Sequence, residues 1–444
     1  MADARTRVLV LLIAYFIVRL PWLFLVPMKE APDEYAHFWI LRFLTEHLRL
    51  PEAAEVLAGG PSAVYGSYPP FGYIPHVLTS LIGGKLAPAI DISLFCRFGS
   101  LIAGATLIPC ADYFGQLLFN RSRLFALALP LLIIFHPQLV FVNAYANCDT
   151  TTAALAAVTL VLLSKILLQG LQLKYSLILG LVLGWLALTK YSGYSMFPTA
   201  AVAILLAAWL HRTKFTSLLL NCAVVAASAL GLSLWWFLRN AAIFDGDYLG
   251  TKTMYHTWAV TFKRELVFHK SAWTFLKDHR WWRTIIYSYW GYFGYMTQEM
   301  ARPLYIVYQS IMAVSIAAAL TRMPKAIRAI KALRAVPNVV SSINQDAALP
   351  AVWFTLVTSF AINLGAMVYA SMANFGLAQG RYLFPNEIPI MAMLLGGLYL
   401  LPNGWRNKAA VTFVVFNAAA CIYQFYKLSS LPGYAFNFVR TYVQ

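Results

Sequence analysis

Long apolar runs recur from one end of this 444-residue chain to the other, and they constrain its fold more than any motif does. A run of about twenty apolar residues crosses a bilayer as a helix that satisfies every backbone group internally. Eleven runs of this kind stand out: 8–28, 95–118, 124–143, 150–169, 175–190, 193–210, 215–238, 303–321, 350–371, 384–402 and 408–428. Hydrophobic residues make up 60% of the chain and charged residues only 11%, a balance that excludes an ordinary soluble protein. The expectation is an all-α polytopic membrane protein, with residues 1–444 forming a single transmembrane domain. The first run, Val8 to Pro27, is long for a signal peptide and lacks a small-residue cleavage site, so it reads as a retained helix. The five cysteines show neither metal-ligand spacing nor a disulfide framework. The net charge of +17 points to membrane topology and anionic lipid rather than to nucleic acid.

Topology turns on one ambiguous stretch, Pro69 to Leu86, which holds three prolines, His76 and the pair Gly83-Gly84. If it does not cross, one face collects Arg5, Arg7, Arg121, Arg123, Lys165, Lys174, Arg212, Lys214 and the basic residues from Arg322 to Arg334. The other face then collects Asp33, Glu34, Glu52, Asp149, Asp245, Asp247 and Glu299. Basic loops stay in the cytoplasm, so this parity predicts about 11 spans, a cytoplasmic N-terminus and a multi-pass protein of the plasma (inner) membrane. Residues 69–86 then lie in the outer interface or re-enter it. Two long outer segments follow, 29–93 and 239–302, both carrying interfacial helices, and a basic cytoplasmic loop, 322–349, lies along the inner leaflet. Trp258, Trp273, Trp281, Trp282 and Trp290 fit helices anchored at the headgroup level.

Several polar groups cluster at the predicted outer helix ends. Asp33 and Glu34 directly follow the first span, where carboxylates near lipid are expensive to keep. A carboxylate in a water-poor site can serve as a general base. Asp33 and His37 are spaced i, i+4 and share a face if a helix starts there, although Asp33 could equally cap that helix. Gln379-Gly380-Arg381-Tyr382 precedes the span at 384, and an arginine there can grip a phosphate with two parallel hydrogen bonds. Asp149 lies in the short loop before the span at 150, where it reads either as a second acid or as a helix cap. Lys190 and Arg239 sit at outer helix ends and can add positive potential where a leaving phosphate develops charge, or can anchor the interface. Asp33, Glu34 and Asp149 leave room for a shared divalent metal, and no other cofactor is indicated.

In their order along the chain these segments resemble the GT-C superfamily, integral-membrane glycosyltransferases that include protein O-mannosyltransferases and the aminoarabinose transferases of lipid A. The closer resemblance is to a large bacterial membrane-protein family of unassigned function grouped near it. It is carried by Pro32-Asp33-Glu34-x-x-His37-Phe38, Asn147-Cys148-Asp149, Arg239-Asn240 with Gly246-Asp247, Trp290-Gly291 with Phe293-Gly294, and Gln379-Gly380-Arg381-Tyr382 with Pro385. The match runs from about residue 8 to 402. One departure is Cys148, where that family often has proline.

The resemblance implies a GT-C-like bundle and a sugar donor carried on a polyprenyl phosphate. The acceptor would be a glycan, lipid or protein of the cell envelope, met on the extracytoplasmic face. It places Asp33 at the catalytic acid, with Glu34, His37 and Asp149 assisting. Arg381, Tyr382, Gln379, Lys190 and Arg239 are the candidates for holding the donor phosphate. Single-step displacement would invert the anomeric centre. Two other classes stay open: a transporter or flippase of a lipid-linked or anionic solute, which would place its charges inside the bundle, and a non-catalytic assembly partner.

Overall fold

Each apolar run closes its own backbone hydrogen bonds, and the computed structural model of the chain is accordingly almost all helix. It describes residues 3–28, 30–262, 271–333, 345–372 and 378–434. Among these, eight helices are long and apolar enough to cross a membrane by length and composition. They are Ala4–Leu25, Ile92–Leu118, Asp149–Gln169, Tyr191–Leu210, Phe215–Ile243, Arg302–Thr321, Ala348–Ser371 and Asn403–Ser429.

The other three predicted spans are short or broken. The run 124–143 splits into Arg123–Ile134 and Pro137–Val142. Pro137 explains the break: its ring pushes the preceding residue out of the helical region, and His136 is extended at φ −64°, ψ 111°. The buried Arg19 donates to Ile133 O, the carbonyl that Pro137 has no N–H to serve, and at 3.3 Å to Leu139 O in the next helix. The run 175–190 is helical only over Leu173–Ala187, and 384–402 begins as a 3₁₀ turn, Gly380–Asn386, before the helix Glu387–Tyr399.

The ambiguous stretch becomes a 3₁₀ turn, Phe71–Tyr73, and a 13-residue helix, Ile74–Leu86, that folds against Ile92–Ala105. At 1.5 Å per residue it is about 20 Å long, too short to cross the hydrocarbon core alone. In the predicted basic loop, residues up to Leu333 continue the helix that starts at Arg302, and residues 334–344 lie outside the described ones.

Asp149–Gln169 is the central helix, packed by Ile92–Leu118, Leu173–Ala187, Met196–Leu210 and Gln345–Ser371. Its small residues Ala153, Ala156, Ala157 and Thr159 let the neighbours approach closely. Two of the tryptophans expected as interfacial anchors are instead packing residues. Trp281 donates to Ser371 Oγ at 3.1 Å, and the fully buried Trp290 stacks on Tyr308 at 3.9 Å. Trp273 is 62% exposed.

Candidate active site

Asp33 adopts the left-handed region, φ 61°, ψ 7°, which aspartate tolerates better than most side chains. Its carbonyl starts the helix Glu34–His47 by accepting from the amides of Ala36 and His37, but its side chain caps nothing. The carboxylate turns away and accepts from Arg381 Nη2 at 2.9 Å. Its side chain remains 20% exposed.

Arg381 reaches this point from the 3₁₀ turn Gly380–Asn386. Gly380 is required by close approach, since a Cβ there would strike the backbone of Tyr289 and Ile285. Arg381 Nη1 donates to Tyr145 Oη at 3.2 Å and lies 3.9 Å from Asp149 Oδ2. Lys190 Nζ donates to Asp149 Oδ1 at 2.6 Å. Two carboxylates and two cations from four separate parts of the chain thus form one nearly dry cluster. Tyr382 packs against both cations, its ring centre 5.3 Å from Lys190 Nζ and 5.5 Å from the Arg381 guanidinium carbon. Burial opposes the charge on Arg381 and Lys190, but the tyrosines and carboxylates around them outweigh it and hold both above their ordinary values. Arg381 Nε and Asp149 Oδ2 are buried without a hydrogen-bond partner.

Asp149 is not the cap that its position suggested. Asn147 Oδ1 accepts from the amide of Thr150 at 3.2 Å, which frees the Asp149 carboxylate for Lys190. Gln379, half-buried, opens the turn by accepting through its carbonyl from the Tyr382 amide at 3.1 Å.

The other candidates face elsewhere. Asp33 itself stands outside helical register, with a left-handed backbone, and His37 takes partners of its own. The His37 ring is buried, stacks on Tyr65 at 4.3 Å, and has Nδ1 2.7 Å from Tyr73 Oη. Burial, with Lys190 and Arg381 nearby, lowers its pKa well below the usual histidine value. Arg239 donates to Pro51 O at 2.6 Å and lines a separate surface cleft with Arg49, Glu52 and Trp235.

Glu34 is fully buried in a two-pronged pair with Arg97, at 2.8 and 2.6 Å, and also accepts from the Ala146 amide at 3.0 Å. It therefore ties the Asp33 turn to the loop before Asp149, and it does not converge with Asp33 and Asp149 on a common point. Among the described residues, no group of three His, Cys, Asp or Glu side chains could hold a metal ion. Arg97 was not singled out from the sequence, although a charge inside the apolar run 95–118, which holds one other at Asp112, is itself a signal. Glu34→Ala strands Arg97 in the interior, and breaking a buried pair in this way costs about 3–5 kcal/mol. The expected result is a marked loss of folded protein in a detergent thermal-shift assay, and an unchanged midpoint would contradict the structural role.

Cys148 Sγ lies 3.9 Å from His37 Nδ1, but burial pushes its thiol up to about 11, against the opposing pull of Lys190. Relative to a free thiol the thiolate fraction at neutral pH falls by about a hundredfold, so alkylation should be slow and should rise with pH up to that value. Mass spectrometry of iodoacetamide-treated protein checks this, and rapid labelling at neutral pH would contradict it.

No family model matches the sequence, and no curated protein is significantly similar to it. Among solved structures, ArnT from Cupriavidus metallidurans, in a crystal structure bound to undecaprenyl phosphate, aligns over 95% of this chain with a TM-score of 0.54 at 15% identity. This is the GT-C fold. The present chain spans 65% of that ArnT chain, so the likeness speaks for the bundle rather than for the whole protein. The apo structure of the same ArnT aligns over 95% of this chain with a TM-score of 0.41 at 14% identity. With this fold, the eight helices long and apolar enough to cross a membrane make the chain a multi-pass membrane protein by length and composition.

Proposed function

We propose that the protein is a glycosyltransferase that moves a sugar from a polyprenyl-phosphate donor to a cell-envelope acceptor at the outer face of the membrane. The observation that carries the proposal is the cluster of Asp33, Arg381, Asp149 and Lys190, in which a partly exposed carboxylate sits against a buried guanidinium. Such a pair offers a proton acceptor and a phosphate ligand side by side. The fold supports the reading, because the ArnT structure of the same fold holds undecaprenyl phosphate.

In this mechanism the acceptor hydroxyl attacks the anomeric carbon while the bond from that carbon to the phosphate oxygen breaks. Asp33 takes the hydroxyl proton. The departing lipid phosphate is met by Arg381, with Lys190 behind it through Asp149. Fixed cations in a dry site stabilise developing charge without reorganising. Displacement in one step inverts the anomeric centre. Glu34 and His37 hold the turn around Asp33 rather than act on substrate, and Arg239 takes no part.

One observation favours a transport reading: a broken helix with Arg19, His136 and Glu387 buried inside the bundle. Both ring nitrogens of His136 are already occupied by protein groups, which leaves that site closed to a solute. Membranes bearing the wild type, given a panel of radiolabelled polyprenyl-phosphate sugars and an envelope extract, should transfer label. Absence of transfer together with flux of labelled lipid across the membrane would replace the transferase by a transporter.

A further inference from the structure

We infer that His136, Glu387 and Tyr289 form a positioning unit that holds the Arg381 turn from behind without touching substrate. All three side chains are buried. His136 Nε2 lies 2.7 Å from the Tyr289 carbonyl, and Nδ1 lies 2.8 Å from Glu387 Oε1. Tyr289 Oη closes the ring by donating to Glu387 Oε2 at 2.9 Å. A carbonyl only accepts, so Nε2 carries a hydrogen, and one further proton lies between Nδ1 and Glu387. Every polar atom facing the ring is then satisfied, the condition under which a buried polar network specifies one arrangement.

The placement of this unit links it to Arg381. The turn runs from Gly380 to Asn386, and Glu387 follows directly. Consecutive residues of the helix His279–Trp290 hold its two ends: Ser288 Oγ accepts from the Gly380 amide at 2.7 Å, and Tyr289 binds Glu387. His136 sits at the helix break, where the proline after it holds the backbone extended. From the same short helix, Pro137–Val142, the chain runs on to Tyr145, which accepts from Arg381. The turn is therefore fixed at both ends, and the guanidinium is aimed between Tyr145 and Asp33. An apolar trio could fill the same volume but would not set the register of the turn.

The inference rests on the phosphate role proposed for Arg381, so its test carries a readout that does not depend on that role. Full-length wild type, Glu387→Ala and Glu387→Gln are purified, and hydrogen exchange is measured over residues 379–387 alongside binding of undecaprenyl phosphate. Glutamine can donate to Nδ1 and accept from Tyr289, so it should behave like the wild type. Alanine should speed exchange in the turn and weaken lipid-phosphate binding, each by about tenfold, with exchange in the Asp149–Gln169 helix unchanged. Unchanged exchange in folded Glu387→Ala, or glutamine as damaging as alanine, overturns the positioning unit. Should alanine prevent folding, Tyr289→Phe removes one bond of the ring and should give the same effects at smaller size; no change in that variant also overturns it. A wild type that binds no undecaprenyl phosphate removes the phosphate reading, while exchange in the turn still decides the unit.

Discussion

Asp33→Asn is expected to leave a folded, inserted protein and to lower sugar transfer by about 10²–10⁴-fold, the usual range for losing a general base. Asparagine keeps the shape and can still accept from Arg381 through its amide oxygen, so the bridge at 2.9 Å has a replacement. It cannot take up the acceptor proton. The measurement is transfer of radiolabel from the active donor of the panel, normalised to folded protein in the same membranes. Full activity at normal expression removes Asp33 from its role.

Arg381→Ala is the second large effect. It removes the group proposed to meet the leaving phosphate, and losing one such preorganised donor costs about 10²–10³-fold in turnover. Donor use should suffer while the apparent affinity for acceptor stays near the wild-type value. Arg381→Lys should recover only part of the loss. Lysine keeps the charge but cannot hold Asp33 and Tyr145 with the two arms that the guanidinium uses. Unchanged donor affinity and turnover in Arg381→Ala would contradict the phosphate assignment.

The sequence carried the expectation, from hydropathy and loop charge, that polar groups at several helix ends share one face. Asp33, Asp149, Lys190 and Arg381 were all expected at one face, and they do lie together. It did not carry which neighbours meet around the bundle. Glu34 and Arg97 are 63 positions apart, and His136 and Glu387 are 251 apart. No periodicity within a single helix encodes pairings at such separations. Arg239 shows the same limit from the other side, since it sits at a helix end of the expected kind yet turns to Pro51 in a different cleft. The choice of Asn147 over Asp149 as the cap, and the left-handed backbone at Asp33, are one-residue decisions set by tertiary partners. The broken helix at His136 was written in the sequence as Pro137, but it lay within a run that composition alone reads as continuous.

The four charges of the cluster sum to zero, two carboxylates against one guanidinium and one ammonium. A balanced site casts little field beyond its own walls, so it gives an approaching anion no long-range pull. A donor phosphate would be captured by trading ion-pair partners at contact, after its lipid tail had found the protein by diffusion within the plane of the bilayer. Donor capture should then respond weakly to ionic strength and strongly to the amount of donor in the membrane.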